Sequence, residues 1–150
     1  IFANPWLIPM GDELWLYYVG TERTHGSDAP GAKTGIFRAT MRRDGFVSLD
    51  TGRAPGGFTT PPFTFQGSGL ELNFDGGAGG WAQVEMQDAE GRPLPGRGLG
   101  DCDAVVGNSI RRRVSWRGSA AVGDTAGRPV RLRFVLCSAR LYAFQFRAQE

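Results

Sequence analysis

Residues 13–19 read Glu-Leu-Trp-Leu-Tyr-Tyr-Val, and both alternating faces of that run are apolar: Leu14, Leu16 and Tyr18 on one, Trp15, Tyr17 and Val19 on the other. Side chains of a β-strand alternate with a period of two, so a strand written this way has to be covered on both sides. The preceding Asn4-Pro5-Trp6-Leu7-Ile8-Pro9-Met10 and the Gly11-Asp12 pair predict a second buried strand and a tight turn.

The rest of the chain is written in strand and turn signals. Its 150 residues contain 23 glycines and 9 prolines, with 11% aromatic residues and almost no helix-period stretch, which predicts an all-β protein with glycine turns. Gly35 to Arg42 alternates, with Phe37, Ala39 and Met41 inward. Arg43-Asp44-Gly45 reads as a hairpin turn from which Phe46-Val47-Ser48-Leu49 returns as a strand. Further on, Leu70/Leu72/Phe74, Ala82/Val84/Met86 and Val130/Leu132/Phe134/Leu136 each present one apolar face, and Tyr142, Phe144 and Phe146 share another. Asp75-Gly76-Gly77 and Ala89-Glu90-Gly91 mark turns. The longest irregular stretch, Gly91 to Asn108, is expected to be functional or to cover a sheet end. Half-buried strands in this number predict an antiparallel, jelly-roll-like β-sandwich.

Several function classes are excluded by composition. The 17 basic residues, all but Lys33 arginine, oppose 15 acidic ones for a formal charge of +2, and they are scattered among acids, so no nucleic-acid footprint is expected. No apolar run is long enough for a membrane helix. The chain opens on Ile1 with neither initiator Met nor signal peptide, and reads as an internal or processed fragment. Cys102 and Cys137 permit one disulfide, their separation in space being unreadable from sequence.

The wording of several segments resembles a known family. The strand end Tyr17-Tyr18-Val19-Gly20, the segment Gly45-Phe46-Val47-Ser48-Leu49-Asp50, Asp101-Cys102-Asp103, Val114-Ser115-Trp116 with Gly118, Gly127 to Phe134, and Leu141 to Phe146 are similar to the C-terminal part of the five-bladed propellers of glycoside hydrolase family 32 and its relatives in families 43 and 68. That resemblance implies terminal blade strands over residues 1–42, an appended β-sandwich over 43–150, a secreted or periplasmic location, and a polysaccharide or oligosaccharide partner, with the remaining blades of the parent chain packed on the first segment. Radially stacked blades would supply the double cover that residues 13–19 need.

Catalysis within this chain is not expected. The family's Asn-Asp-Pro nucleophile, Arg-Asp-Pro and Glu-Cys contexts do not occur here: Arg43-Asp44 is followed by Gly45, and Asp101-Cys102 has aspartate where the acid would stand. The resemblance therefore implies a non-catalytic portion that braces the propeller and contacts glycan. A stand-alone carbohydrate-binding module and an assembly subunit pairing through open strand edges are the alternatives.

Candidate glycan contacts follow from chemistry, since a sugar face stacks on an aromatic ring while its hydroxyls need planar polar partners. Trp81, in register with Gln83 and Glu85 on the outer face of its strand, is the best local match, although the same ring could pack against a neighbouring domain. Arg23 and the single histidine, His25, follow the Tyr17–Gly20 strand in a loop that would line the funnel of a propeller; an exposed loop histidine is the plain alternative. Asp101, Asp103 and Asn108 place three oxygen ligands in one loop, a candidate structural calcium site unlike an EF-hand, or a set of Asx turns.

Overall fold

The computed structural model describes residues 2–24, 26 and 30–148, for Phe2 the backbone only. The chain is all-β and every strand pairing is antiparallel. It divides into two units, Ile1–Phe46 and Val47–Glu150.

The first unit is built on β3 (Glu13–Thr21). Two short strands, β1 (Phe2–Ala3) and β2 (Ile8–Met10), lie end to end along one edge of β3, and β4 (Thr34–Arg42) pairs along the whole of the other, Glu13 opposite Arg42 and Thr21 opposite Thr34. Gly11, at φ 61°, makes the turn between β2 and β3. The strands stand as the alternation requires, but this sheet does not bury them. Trp6 is 75% exposed and Ile36 77%. Local pairs hold it together: the Tyr18 and Phe37 rings stack at 5.5 Å, and the Arg38 guanidinium sits 4.0 Å above the Trp15 ring. An added Cβ on Gly20 would meet the Phe37 ring at 2.9 Å, so this glycine makes room for the aromatic.

The expected return strand after Asp44 is shorter than its sequence suggests. Gly45 N–H does close a turn onto the Arg42 carbonyl, but Phe46 and Val47 are exposed outside any strand, and only β5 (Leu49–Asp50) is extended. It pairs with the last strand of the chain rather than with β4.

The second unit is a sandwich-like pair of four-stranded sheets. One has the order β10 (Asn108–Arg113), β7 (Gly69–Asp75), β12 (Arg140–Arg147), β5. The other runs β6 (Gly56–Thr59), β11 (Val130–Cys137), β8 (Trp81–Asp88), β9 (Val105–Val106). Leu70, Leu72 and Phe74 from the first sheet and Ala82, Val84, Met86, Val130, Leu132, Phe134 and Leu136 from the second fill the space between them. The Phe134 and Phe144 rings meet across the layers at 5.4 Å. Alternation therefore located β7, β8 and β11 correctly. In β12 it fails by one residue: the register slips between Leu141 and Ala143, so Tyr142 is bulged out and Leu141, not Tyr142, shares the core with Phe144 and Phe146.

Candidate functional site

The outer face of β8 carries the glycan contacts expected from sequence, and the structure puts most of that face under a loop. Trp81 opens β8 opposite Val106 and Cys137 and is half-buried. Two residues on, Gln83 donates from Nε2 to the Cys102 carbonyl at 3.3 Å. Glu85 is only 6% exposed: its Oε2 accepts the Leu99 N–H at 3.2 Å, and its Oε1 accepts Gln87 Nε2 at 2.7 Å and lies 3.8 Å from Arg133 Nη1. Gln83 and Glu85 thus fasten the Gly91–Asn108 segment rather than face solvent beside Trp81.

The edge of β8 explains why the loop lies there. β9 reaches only Trp81 and Ala82, which leaves the next backbone groups of the edge without a strand. Buried peptide groups have to be paired. Met86 N–H finds the Arg97 carbonyl and Met86 C=O takes the Leu94 N–H. Val84 is served by two side chains, its N–H donating to Cys102 Sγ at 3.2 Å and its C=O accepting Trp116 Nε1 at 2.8 Å. Cys102 and Trp116 are therefore caps of a strand edge. Both cysteines are free thiols, which closes the question of a bridge. Burial pushes the Cys102 thiol up, while the partly exposed Cys137 donates to the Arg53 carbonyl at 3.2 Å.

The proposed calcium ligands have other partners. Asp101 pairs with Arg117 at 2.5 Å and accepts the Gly98 N–H. Asp103 Oδ2 accepts the Ser115 hydroxyl at 2.6 Å and the Gly118 N–H at 2.8 Å, and these two bonds, in that order, hold its carboxyl below the usual range. Asn108 begins β10, opposite Asp75. Among the described residues no group of three or more His, Cys, Asp or Glu is placed to hold a metal ion. The aspartates act as clamps on the Trp116–Ser119 turn and on the loop beside it.

At the turn between β11 and β12 the structure builds a site that the sequence did not disclose. β11 and β12 join through Ser138 and Ala139, and an added Cβ on Gly80 would lie 2.1 Å from the Ser138 carbonyl oxygen, so only glycine lets the start of β8 come this close. At this turn a cleft of about 460 Å³ is lined by Asp50, Arg53, Asp75, Ser138 and Arg140, among others. Arg140 is opposite Asp75 on β7 and opposite Asp50 on β5, with Nε 3.5 Å from Asp50 Oδ2. The hydrogen bond with Tyr142, then the Asp50 charge, raise its pKa above the ordinary arginine value. A row of carboxylate, guanidinium and carboxylate offers acceptors and donors in the pattern that vicinal hydroxyls use. The three residues lie far apart in sequence, and only strand order brings them together.

In the first unit, Arg23 is exposed and its N–H donates to Thr21 Oγ1 at 3.4 Å. His25 lies outside the described residues. A groove of about 480 Å³ at this end of β3 and β4 is lined by residues including Tyr18, Glu22, Lys33 and Phe37, and Arg23 is not among them. Among the described residues no helix is long and apolar enough to cross a membrane. No family model, curated protein or solved structure matches the chain.

Proposed function

We propose that this chain is the non-catalytic C-terminal portion of a secreted, carbohydrate-active protein of the family 32 propeller type: terminal blade strands followed by a sandwich that braces the propeller and contacts glycan. The observation that carries the reading is the first unit, a single-layer antiparallel sheet three strands across, whose central strand is apolar on both faces and whose Trp6, Ile36 and Phe37 stay exposed. Strands written for double cover fit a radial stack of blades. Glycan contact is assigned to the cleft around Arg140 and, separately, to the half-buried Trp81 ring, which does not line that cleft. The sandwich has a full core of its own, which also supports the second reading, an independent carbohydrate-binding module.

Reading the coding frame upstream of Ile1 tests the parentage: further blades with their paired carboxylates are expected, and a start codon directly before Ile1 overturns the assignment. Glycan contact is tested by affinity electrophoresis of the full chain in neutral polysaccharide gels. Trp81→Ala should weaken retention by about 1–3 kcal/mol, on the scale of a lost aromatic stacking partner. Unchanged mobility of the unsubstituted chain across such gels would remove the glycan role.

A further inference from the structure

Arg111, Arg112 and Arg113 form an unbroken basic run at the end of β10, an edge strand. The pairing of β10 with β7 slips between Ser109 and Arg112, and such a bulge redirects the side chains around it. All three arginines are exposed. Elsewhere Arg92, Arg97, Arg117, Arg133, Arg140 and Arg147 each meet a carboxylate. Among the described residues, Arg111, Arg112 and Arg113 make no ion pair. Glu71, opposite Arg113, is already engaged by Arg147, so the three adjacent guanidiniums repel one another and an anion relieves that repulsion.

The run borders a pocket of about 360 Å³, whose lining includes Asp103, Ser109, Ser115 and the three arginines. That size lies within the range of small-ligand sites, about 300–1,000 Å³. Its two ends differ in chemistry. The arginines supply charged, forked donors suited to an oxyanion. Asp103 stays ionised, because Ser115 and Gly118 both donate to its Oδ2, and among the described residues its Oδ1 has no hydrogen bond, leaving an acceptor for a hydroxyl. A ligand with one anionic group and neighbouring hydroxyls fits both ends. The lining has no aromatic ring on which a nucleic-acid base could stack.

We infer that this pocket binds a uronic acid unit of an acidic polysaccharide, its carboxylate on Arg111–Arg113 and its hydroxyls toward Asp103 and the two serines. The inference rests on the carbohydrate reading above and adds to it a charge preference at a second place on the sandwich.

The test is calorimetric titration of the full chain with a galacturonate oligomer, with the same oligomer as its methyl ester, with polyglutamate and with single-stranded DNA, at about 0.15 M salt, where exposed long-range charge effects are largely screened. The acid should bind at least tenfold more tightly than the ester, and more tightly than polyglutamate or DNA. Arg111→Gln with Arg112→Gln should abolish the difference between acid and ester without changing the thermal melt, and Arg111→Lys with Arg112→Lys should keep part of it. Equal binding of acid and ester overturns this inference while leaving the carbohydrate reading standing. Binding of neither sugar form overturns this inference, and the carbohydrate reading then stands or falls on the neutral polysaccharide gels. Polyglutamate or DNA matching the acid, or a glutamine variant that keeps the preference, overturns the uronate assignment.

Discussion

Trp116→Phe should cost the sandwich far more than a conservative aromatic exchange usually does. The indole is 3% exposed, and its Nε1 is the hydrogen-bond donor to the Val84 carbonyl at 2.8 Å, on a stretch of β8 edge that has no neighbouring strand. Phenylalanine cannot donate, so the substitution leaves a buried carbonyl unpaired, about 1–3 kcal/mol. The smaller ring also leaves a void on the order of 40 Å³, which at ~24 cal/mol per Å³ adds about 1 kcal/mol. The sum, about 2–4 kcal/mol, corresponds to a fall in melting temperature of roughly 10–25 °C for a unit of about 100 residues. The measurement is urea unfolding of the full chain followed by far-ultraviolet circular dichroism, compared at constant slope. Cys102→Ala removes the acceptor of the Val84 N–H on the same edge and should cost about 1–2 kcal/mol. Because both caps serve one residue, the double variant should lose less than the sum of the two. A Trp116→Phe midpoint within about 0.5 kcal/mol of the parent would refute the account of Val84 as an edge closed by side chains.

Two further outcomes follow from the titrating groups. The Asp103 carboxyl is held below its ordinary value of 3.8 by Ser115 and Gly118, so the stability it contributes is complete above that ordinary value and disappears as the pH falls through the lower folded one; Asp103→Asn should therefore flatten the acid limb of the stability profile, as read by thermal melts at successive pH values, and an unchanged limb would contradict it. The two thiols should differ in reactivity, since burial raises the pKa of Cys102 while Cys137 is partly exposed: a thiol reagent should label Cys137 first in the native chain, with Cys102 following only on unfolding, and equal labelling by mass spectrometry would contradict the buried cap.

What the sequence displayed was alternation, and alternation located the strands wherever the pleat is regular. Leu70/Leu72/Phe74 and Val130 to Leu136 face the core as their spacing demands. Tyr142 did not, because a bulge adds a residue to β12, and nothing in the local wording of Leu141 to Phe146 distinguishes a bulged strand from a flat one. The same limit applies to Glu85. Its position on the outer face was legible, but its burial depends on β9 stopping at Val106, which leaves the loop to satisfy the β8 edge. The row of Asp50, Arg140 and Asp75 is illegible for a different reason, being set by strand order across the sheet, whereas Arg111–Arg113 is contiguous in the sequence and only its place on an edge strand beside Asp103 sets it apart from the scattered charge.

The two units answer the opening feature of the sequence in opposite ways. In the sandwich every strand with one apolar face finds a partner layer, so Leu70, Leu72, Phe74, Val84, Met86, Leu132 and Phe134 are completely buried. β3 has two apolar faces, and its own neighbours β1, β2 and β4 lie beside it in the same sheet. Edge pairing satisfies backbone groups and cannot cover a face, which needs a second layer. Exposed apolar surface of that extent marks a place where protein is meant to sit. The strongest local signal in the chain therefore describes packing that its own sheet does not provide, and it is on this mismatch, rather than on any catalytic group, that the proposed place of the chain at the end of a larger β-protein rests.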